Sequence, residues 1–140
     1  MINAFAKGRK VIRASFYCAP FDKNNSLKHL QHRFIDKVKK HKKMFFVKGY
    51  HKFGKEKETD INITVEMLDM AWRDQYDIAI LITGDEDFYK VIRAVQKRKK
   101  MVELYIPRSS KSKKIRGISN TCEILDDYFP LFAKKKSRHR

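Results

Sequence analysis

The chain has little of three things: cysteine, long apolar runs, and acidic residues in its first third. Cys18 and Cys122 lack C-x-x-C spacing and a nearby histidine cluster, so we expect free thiols. No apolar run approaches the roughly 20 residues needed to cross a bilayer, and the first six residues are too short for a secretory apolar region. We therefore expect a soluble, cytoplasmic protein with no membrane partner.

The acidic residues are scarce and unevenly placed. The 33 Lys and Arg outnumber the 16 Asp and Glu, which gives a formal net charge of +17. Before Glu56 the acids are Asp22 and Asp36, and ten of the 16 fall in residues 56–87. A strongly basic surface attracts polyanions, and carboxylates beside a bound phosphate repel it unless a divalent cation lies between them. This charge pattern favours a metal-dependent nuclease.

The composition predicts one folded domain over residues 1–133. Of the 140 residues, 42% are hydrophobic and 12% aromatic, which is enough to bury a core. Residues 134–140 are almost entirely basic, and we expect a disordered tail there.

Strand and helix signals alternate along the chain. Strands are predicted at residues 11–18, 44–47, 78–82 and 101–106, and helices at 27–40, from 59 or 60 to 72, and from 87 or 88 to 97. Residues 51–57 and 108–114 are predicted as basic loops. This order predicts an α/β fold, a three-layer α/β/α sandwich around a parallel sheet. We expect Trp72 in the core rather than at a stacking site.

The most informative stretch is residues 77–88. Five apolar residues, Ile78-Ala79-Ile80-Leu81-Ile82, end at Thr83-Gly84 and lead into Asp85-Glu86-Asp87-Phe88. An unbroken apolar strand suits a parallel sheet covered on both faces, and α/β proteins place their chemistry at the carboxyl ends of such strands. We therefore expect Asp85 and Asp87 at a functional edge.

These residues resemble a known family. Lys57-Glu58-Thr59-Asp60-Ile61 at a helix start, followed by Thr83-Gly84-Asp85-Glu86-Asp87-Phe88 at a strand end, is similar to the NYN domain of the LabA-like, PIN-like nuclease superfamily. Lys100-Met101-Val102-Glu103-Leu104 and Asp126-Asp127-Tyr128-Phe129 extend the resemblance. It implies a PIN-like fold and a ribonuclease that uses Mg²⁺ or Mn²⁺ to cleave RNA.

The resemblance also implies site residues. Asp60, Asp85 and Asp87 match the family's catalytic, metal-binding acids. Asp126 matches a further acidic position that we include as a metal ligand, and Lys57 matches the lysine that precedes the first of these acids. From the basic loops we expect nucleic-acid contacts at Lys52, Lys55, Lys57, Lys113 and Lys114.

One feature departs from the family pattern. NYN domains open with a central strand that ends in an aspartate, whereas residues 1–9 look like the end of the following helix. We therefore expect the N-terminal strand to be missing or truncated, one metal-binding carboxylate to be absent, and two strand edges to be left without partners. Such edges invite association, so a homo-oligomer is possible.

Other roles are open for the same residues. Asp60 and Asp87 are also suited to capping helices, Asp126 to a structural role, and Glu66, Asp69 and Asp74 to a solvated helix face. The alternative function is a non-catalytic RNA-binding or regulatory module with an incomplete acidic site. A glycosyltransferase that uses Asp85-x-Asp87 fits poorly, because a net charge of +17 serves no purpose in such an enzyme.

Overall fold

The structure is a computed structural model that describes residues 1–21, 23–53 and 55–130. The chain divides into two compact units. Met1–Lys10 together with Met67–Arg140 forms the first, here called the major unit, and Val11–Glu66 forms the second, here called the minor unit. The predicted tail 134–140 and the end of the predicted domain at 131–133 lie outside the described residues, so the single-domain assignment stays a prediction.

The major unit is built on a parallel sheet. Its strands run in the order β5-β6-β7, and each crossover between them carries a helix. The elements are α1 (Ile2–Ala6), β5 (Ile78–Ile82), a 3₁₀ turn (Glu86–Phe88), α4 (Tyr89–Lys97), β6 (Met101–Ile106), α5 (Lys113–Ile118), β7 (Thr121–Ile124) and a second 3₁₀ turn (Leu125–Tyr128).

The core of the major unit forms around its central strand. Residues 102–106 of β6 are all buried, and α4 packs its apolar side chains Val91, Ile92 and Val95. In β5, by contrast, Ile80 and Ile82 are 37% and 45% exposed. The prediction that β5 is covered on both faces is therefore wrong. Among the described residues β5 pairs with β6 alone, and a strand with one neighbour is less enclosed than the strand between two.

The minor unit contains a second parallel pair and a hairpin. Strand β1 (Ala14–Cys18) pairs with β2 (Met44–Lys48), and helix α2 (Lys28–Lys40) connects them in the chain. Strands β3 (Tyr50–Lys52) and β4 (Lys55–Lys57) are antiparallel, and helix α3 (Thr59–Trp72) follows them. The predicted loop at residues 51–57 is therefore wrong, because its backbone groups pair with each other and with Tyr50.

The fold class agrees with the sequence. Parallel sheets with helical crossovers give the predicted α/β class. Residues 1–13 contain α1 and no strand, and among the described residues β1 and β5 each have one strand neighbour. Cys18 and Cys122 are both free, as predicted. In the described part of the chain, no helix has the length and apolar character required to cross a membrane.

Candidate functional site

The predicted acids of the major unit lie beyond the carboxyl ends of its strands. Asp85 and Asp87 follow β5, and Asp126 follows β7. Because β5, β6 and β7 are parallel, the segments that follow them leave the same edge of the sheet. The structure thus places these three acids at one edge, as the sequence predicted for Asp85 and Asp87.

Hydrogen bonds define the turn after β5. The backbone N–H of Asp85 donates to Thr83 Oγ1 at 3.2 Å, and Asp85 Oδ1 accepts from the backbone N–H of Asp87 at 2.8 Å. Asp85 therefore caps the 3₁₀ turn, a role the sequence analysis had considered for Asp87. The Asp87 side chain is exposed and makes no hydrogen bond or ion pair to any residue the structure describes. Its carboxylate is available to a ligand.

The loop after β6 links the other two loops. Ser110 Oγ donates to the Gly84 carbonyl at 3.2 Å, and the Arg108 backbone N–H donates to Asp126 Oδ2 at 2.7 Å. The Arg108 guanidinium also pairs with Asp127. A Cβ on Gly84 would lie 3.3 Å from Ser110 Cβ, so glycine permits this close approach. Asp126 thus holds the edge together, and its role as a metal ligand stays a prediction.

Basic residues border this edge. Lys113 and Lys114 are exposed at the start of α5, and Lys114 Nζ lies 4.5 Å from the centre of the Tyr89 ring. Tyr89 directly follows the 3₁₀ turn that contains Asp87. The sequence analysis missed Arg108 as a cation at this edge, although its position directly after Pro107 at the end of β6 was a usable signal.

The remaining predicted residues belong to the minor unit. Asp60 is exposed in the first turn of α3, and the hairpin before it carries exposed Lys52, Lys55 and Lys57. Lys52 and Lys55 are directly opposite each other in the hairpin. Such a pair of like charges is destabilising unless an anion lies nearby. This arrangement favours the predicted role of the hairpin lysines in binding phosphate.

The hairpin is tied to the start of α3. Glu56 Oε1 accepts a hydrogen bond from the Ala19 backbone N–H at 2.7 Å and another from the Thr59 hydroxyl. A Cβ on Gly49 would lie 2.6 Å from the Lys57 carbonyl oxygen. The backbone of the hairpin is therefore held next to the first turn of α3, where Asp60 lies.

The structure contradicts the expectation that Glu66 lies on a solvated helix face. It is half-buried and accepts hydrogen bonds from Ser15 Oγ at 2.6 Å and from the Tyr17 hydroxyl, and it pairs with Arg13. Burial and then the Glu66 hydrogen bond raise the pKa of Tyr17. Asp69 and Asp74 likewise pair with Arg73 and Lys100. Glu66 is thus a structural ion-pair partner, whereas Asp69 and Asp74 stay exposed to solvent, as predicted, and Asp74 lies beyond the end of α3.

The arrangement bears on metal binding. Within the described ranges there is no group of three or more His, Cys, Asp or Glu side chains that could hold an ion. Asp85 and Asp87 supply two carboxylates at one edge, and Mg²⁺ is commonly held by one or two carboxylates with water and substrate phosphate as its other ligands. The donor set at this edge fits such an ion.

Comparisons with known proteins found one matching family model and a similar solved structure. A family model described as the NYN domain matches residues 1–124. A crystal structure of a protein of unknown function from Vibrio parahaemolyticus is similar over 88% of this chain and 75% of its own, with a TM-score of 0.65 and 20% sequence identity. That identity supports a shared fold alone. No curated protein matches.

Proposed function

We propose that this chain, which belongs to the NYN domain family, is a divalent-metal-dependent ribonuclease that hydrolyses RNA phosphodiester bonds. The family gives it a nuclease-type fold and fits an RNA partner. The observation that carries the proposal is the pair Asp85 and Asp87, which lies at the carboxyl edge of the sheet without a cationic partner among the described residues. In a chain of net charge +17, two neighbouring acids without an ion-pair partner among the described residues favour a bound cation.

Asp85 and Asp87 would hold Mg²⁺ or Mn²⁺ in the major unit, with Asp126 as a further acid of the proposed site. Asp60, which lies in the minor unit, stays a predicted ligand. When bound, the ion supplies charge stabilisation at the phosphoryl oxygen and lowers the pKa of the attacking water. Asp85 contributes through its fixed position, because Oδ1 is held by the Asp87 backbone N–H.

The basic residues would position the substrate. The exposed lysines at the start of α5 would neutralise backbone phosphates, and the hairpin lysines of the minor unit would do the same. In the proposed hydrolysis, the water oxygen bonds to phosphorus and the water gives up a proton, one ester P–O bond breaks, and the leaving oxygen takes a proton. We place this activity in the cytoplasm, where the two free thiols are stable.

A second candidate is a non-catalytic RNA-binding module. The observation that favours it is that no group of three or more ligand-type side chains is gathered in the part of the chain that the structure describes. Such a module would use the basic surface and bind RNA without cleaving it. RNA binding that is unchanged by Mn²⁺ and by Asp85→Asn, with no cleavage, would support the module.

The first prediction tests the carboxylate edge. Asp85→Asn should lower the metal-dependent cleavage rate about a hundredfold or more, equivalent to about 2.7 kcal/mol of transition-state stabilisation. The amide keeps the size of the side chain but removes the charge that attracts the ion. Cleavage of labelled single-stranded and structured RNA is measured with and without Mg²⁺ or Mn²⁺, and DNA of the same sequence is included to test the sugar preference.

The matched control is Asp77→Asn. Asp77 is an exposed acid directly before β5, at the opposite end of the strand from the proposed site. It should cleave as the natural chain does. Equal rates for Asp85→Asn and the natural chain, or equal losses in the two variants, would contradict the proposed site.

A further inference from the structure

The outer face of α4 is a continuous basic surface. Helix α4 buries Val91, Ile92 and Val95, and its opposite side lines one shallow depression formed by Tyr89, Lys90, Arg93, Ala94 and Lys97. These positions follow the i, i+1, i+4, i+5, i+8 spacing of one helix face. Its three cationic side chains are exposed, and no acid lines the depression. The face is therefore complementary to a polyanion.

Tyr89 gives this face an aromatic ring between two cations. Lys114 Nζ lies 4.5 Å from the ring centre, and Arg93 Cζ lies 5.6 Å from it. A base stacked on tyrosine gains more than an exposed cation gains from the same ring. A base can therefore replace the Lys114 ammonium on the Tyr89 ring. The ammonium can then bind the adjoining phosphate.

Trp72 provides a second ring in the major unit. It is 60% exposed at the end of α3, contrary to the prediction that it lies in the core. Arg98 Cζ lies 4.6 Å from the ring centre, and Arg98 Nη2 donates to the Trp72 carbonyl oxygen at 3.1 Å. The arginine thus holds the indole at the surface, as a flat apolar platform beside a positive charge.

The two rings border neighbouring depressions. Trp72 lines its depression with Leu68, Asp69 and Ala94, and Ala94 also lines the depression beside Tyr89. Asp69 pairs with Arg73 at 3.0 Å, so its negative charge is balanced. A surface with a stacking ring at each of two adjoining depressions and cations between them suits unpaired bases joined by phosphates.

The α4 face also leads to the proposed active site. Tyr89 follows the 3₁₀ turn that contains Asp87, and Lys97 lies about 12 Å further along the helix axis at 1.5 Å per residue. We propose that the outer face of α4, with Tyr89 and Trp72 as stacking platforms, binds the single-stranded RNA that flanks the scissile phosphate. This inference rests on the proposed function for the position of that phosphate.

A second copy of the chain is a poorer occupant of this face. Two such faces would bring Lys90, Arg93 and Lys97 of one copy against the same cations of the other, and like charges oppose that contact. Double-stranded RNA offers phosphates but keeps its bases stacked inside the helix. The rings therefore select unpaired RNA.

Binding of a labelled 12-nucleotide oligouridylate by the full chain, measured by fluorescence anisotropy in EDTA, tests the inference. Tyr89→Leu and Trp72→Leu should each weaken binding about tenfold, and Tyr89→Phe should retain it because the ring is kept. The same variants should bind duplex RNA of equal length as the natural chain does.

Charge is tested with a matched pair of double variants. Lys90→Gln with Lys97→Gln should weaken binding about tenfold, and Lys37→Gln with Lys40→Gln, which removes the same charge from exposed positions on α2, should change it about twofold at most. Equal losses in the two doubles, or full binding by both leucine variants, would overturn the inference.

The measurements also separate this inference from the proposed function. Binding in EDTA does not depend on cleavage, so a chain that never cleaves RNA can still show the α4 pattern. Conversely, metal-dependent cleavage that needs Asp85, together with full RNA binding by both leucine variants, would overturn the α4 inference alone. Sedimentation tests self-association. If the natural chain is a dimer, and Trp72→Leu is a monomer that binds RNA as the natural chain does, the face serves self-association instead.

Discussion

At the scale of single residues, the most consequential contact outside the site is the ion pair of Glu103. Glu103 lies in β6, is 9% exposed, and receives two hydrogen bonds from Arg9, at 2.6 and 2.8 Å. Arg9 also donates to the Phe5 and Ala6 carbonyl oxygens. A buried carboxylate requires such a partner. The pair explains why residues 1–10 belong to the major unit.

Replacing Glu103 tests this ion pair. Glu103→Gln should lower the free energy of unfolding by about 1–3 kcal/mol, because charge-assisted hydrogen bonds are replaced by weaker ones. Urea unfolding at pH 7 measures the change. Glu86→Gln, at an exposed position without an ion pair among the described residues, should unfold as the natural chain does. Equal stability of the two variants would contradict a structural role for the pair.

The same pair predicts a pH dependence. The Arg9 hydrogen bonds hold the pKa of Glu103 below its ordinary value of 4.5. The folded state therefore binds fewer protons than the unfolded state, so the stabilisation is fully present above pH 4.5 and is lost as the pH falls toward the folded pKa. Glu103→Gln should show a shallower loss of stability below pH 4.5 in urea unfolding. If Glu103→Gln loses stability below pH 4.5 as steeply as the natural chain does, other carboxylates cause that loss.

At the scale of elements, the hairpin β3–β4 depends on a glycine. Gly49→Ala would place Cβ 2.6 Å from the Lys57 carbonyl oxygen and 2.8 Å from Thr59 Oγ1, and the backbone carbonyl has little freedom to move. We expect a loss of about 1–3 kcal/mol in the free energy of unfolding. We also expect weaker RNA binding, because the hairpin lysines shift.

A second glycine provides the control for this prediction. A Cβ on Gly117, in α5, meets nothing within 4 Å. Gly117→Ala should therefore raise stability, by about 0.5–1 kcal/mol, since alanine has the higher helix propensity. Urea unfolding measures both variants. A stable Gly49→Ala chain with natural RNA affinity would show that the hairpin accommodates the extra carbon.

At the scale of the whole molecule, we expect the net charge of +17 to govern the proposed binding of RNA. If about five phosphates are neutralised, the logarithm of the binding constant should fall with a slope of about −3.5 against the logarithm of the salt concentration. Raising salt from about 0.1 to 0.3 M would then weaken binding about fiftyfold. Anisotropy titrations at several salt concentrations give the slope, and a slope near zero would contradict electrostatic binding.

Self-association is also a property of this scale. Among the described residues, β1 and β5 each pair with one strand, and the exposed side chains Ile80 and Ile82 lie on β5. Exposed apolar strand edges favour pairing with another chain. The homo-oligomer stays a prediction.

The sequence by itself determined the elements whose signals are local. Strands β5 and β6 have the bounds predicted from their apolar runs, and Asp85 and Asp87 lie beyond the carboxyl end of β5 because they follow it directly. The family was also predicted from the sequence, because its motifs at residues 57–61 and 83–88 occur in the expected order. Local signals suffice here because the backbone conformation and the order of residues are set within a few positions.

The tertiary structure alone decided which charged and aromatic side chains meet. Glu66 was predicted on a solvated face and pairs with Arg13, and Trp72 was predicted in the core and lies at the surface under Arg98. Helical spacing shows that residues share a face but not what that face meets. Partners such as Arg9 and Glu103, which are 94 residues apart, are chosen by the packing of distant segments, and no local pattern records that choice.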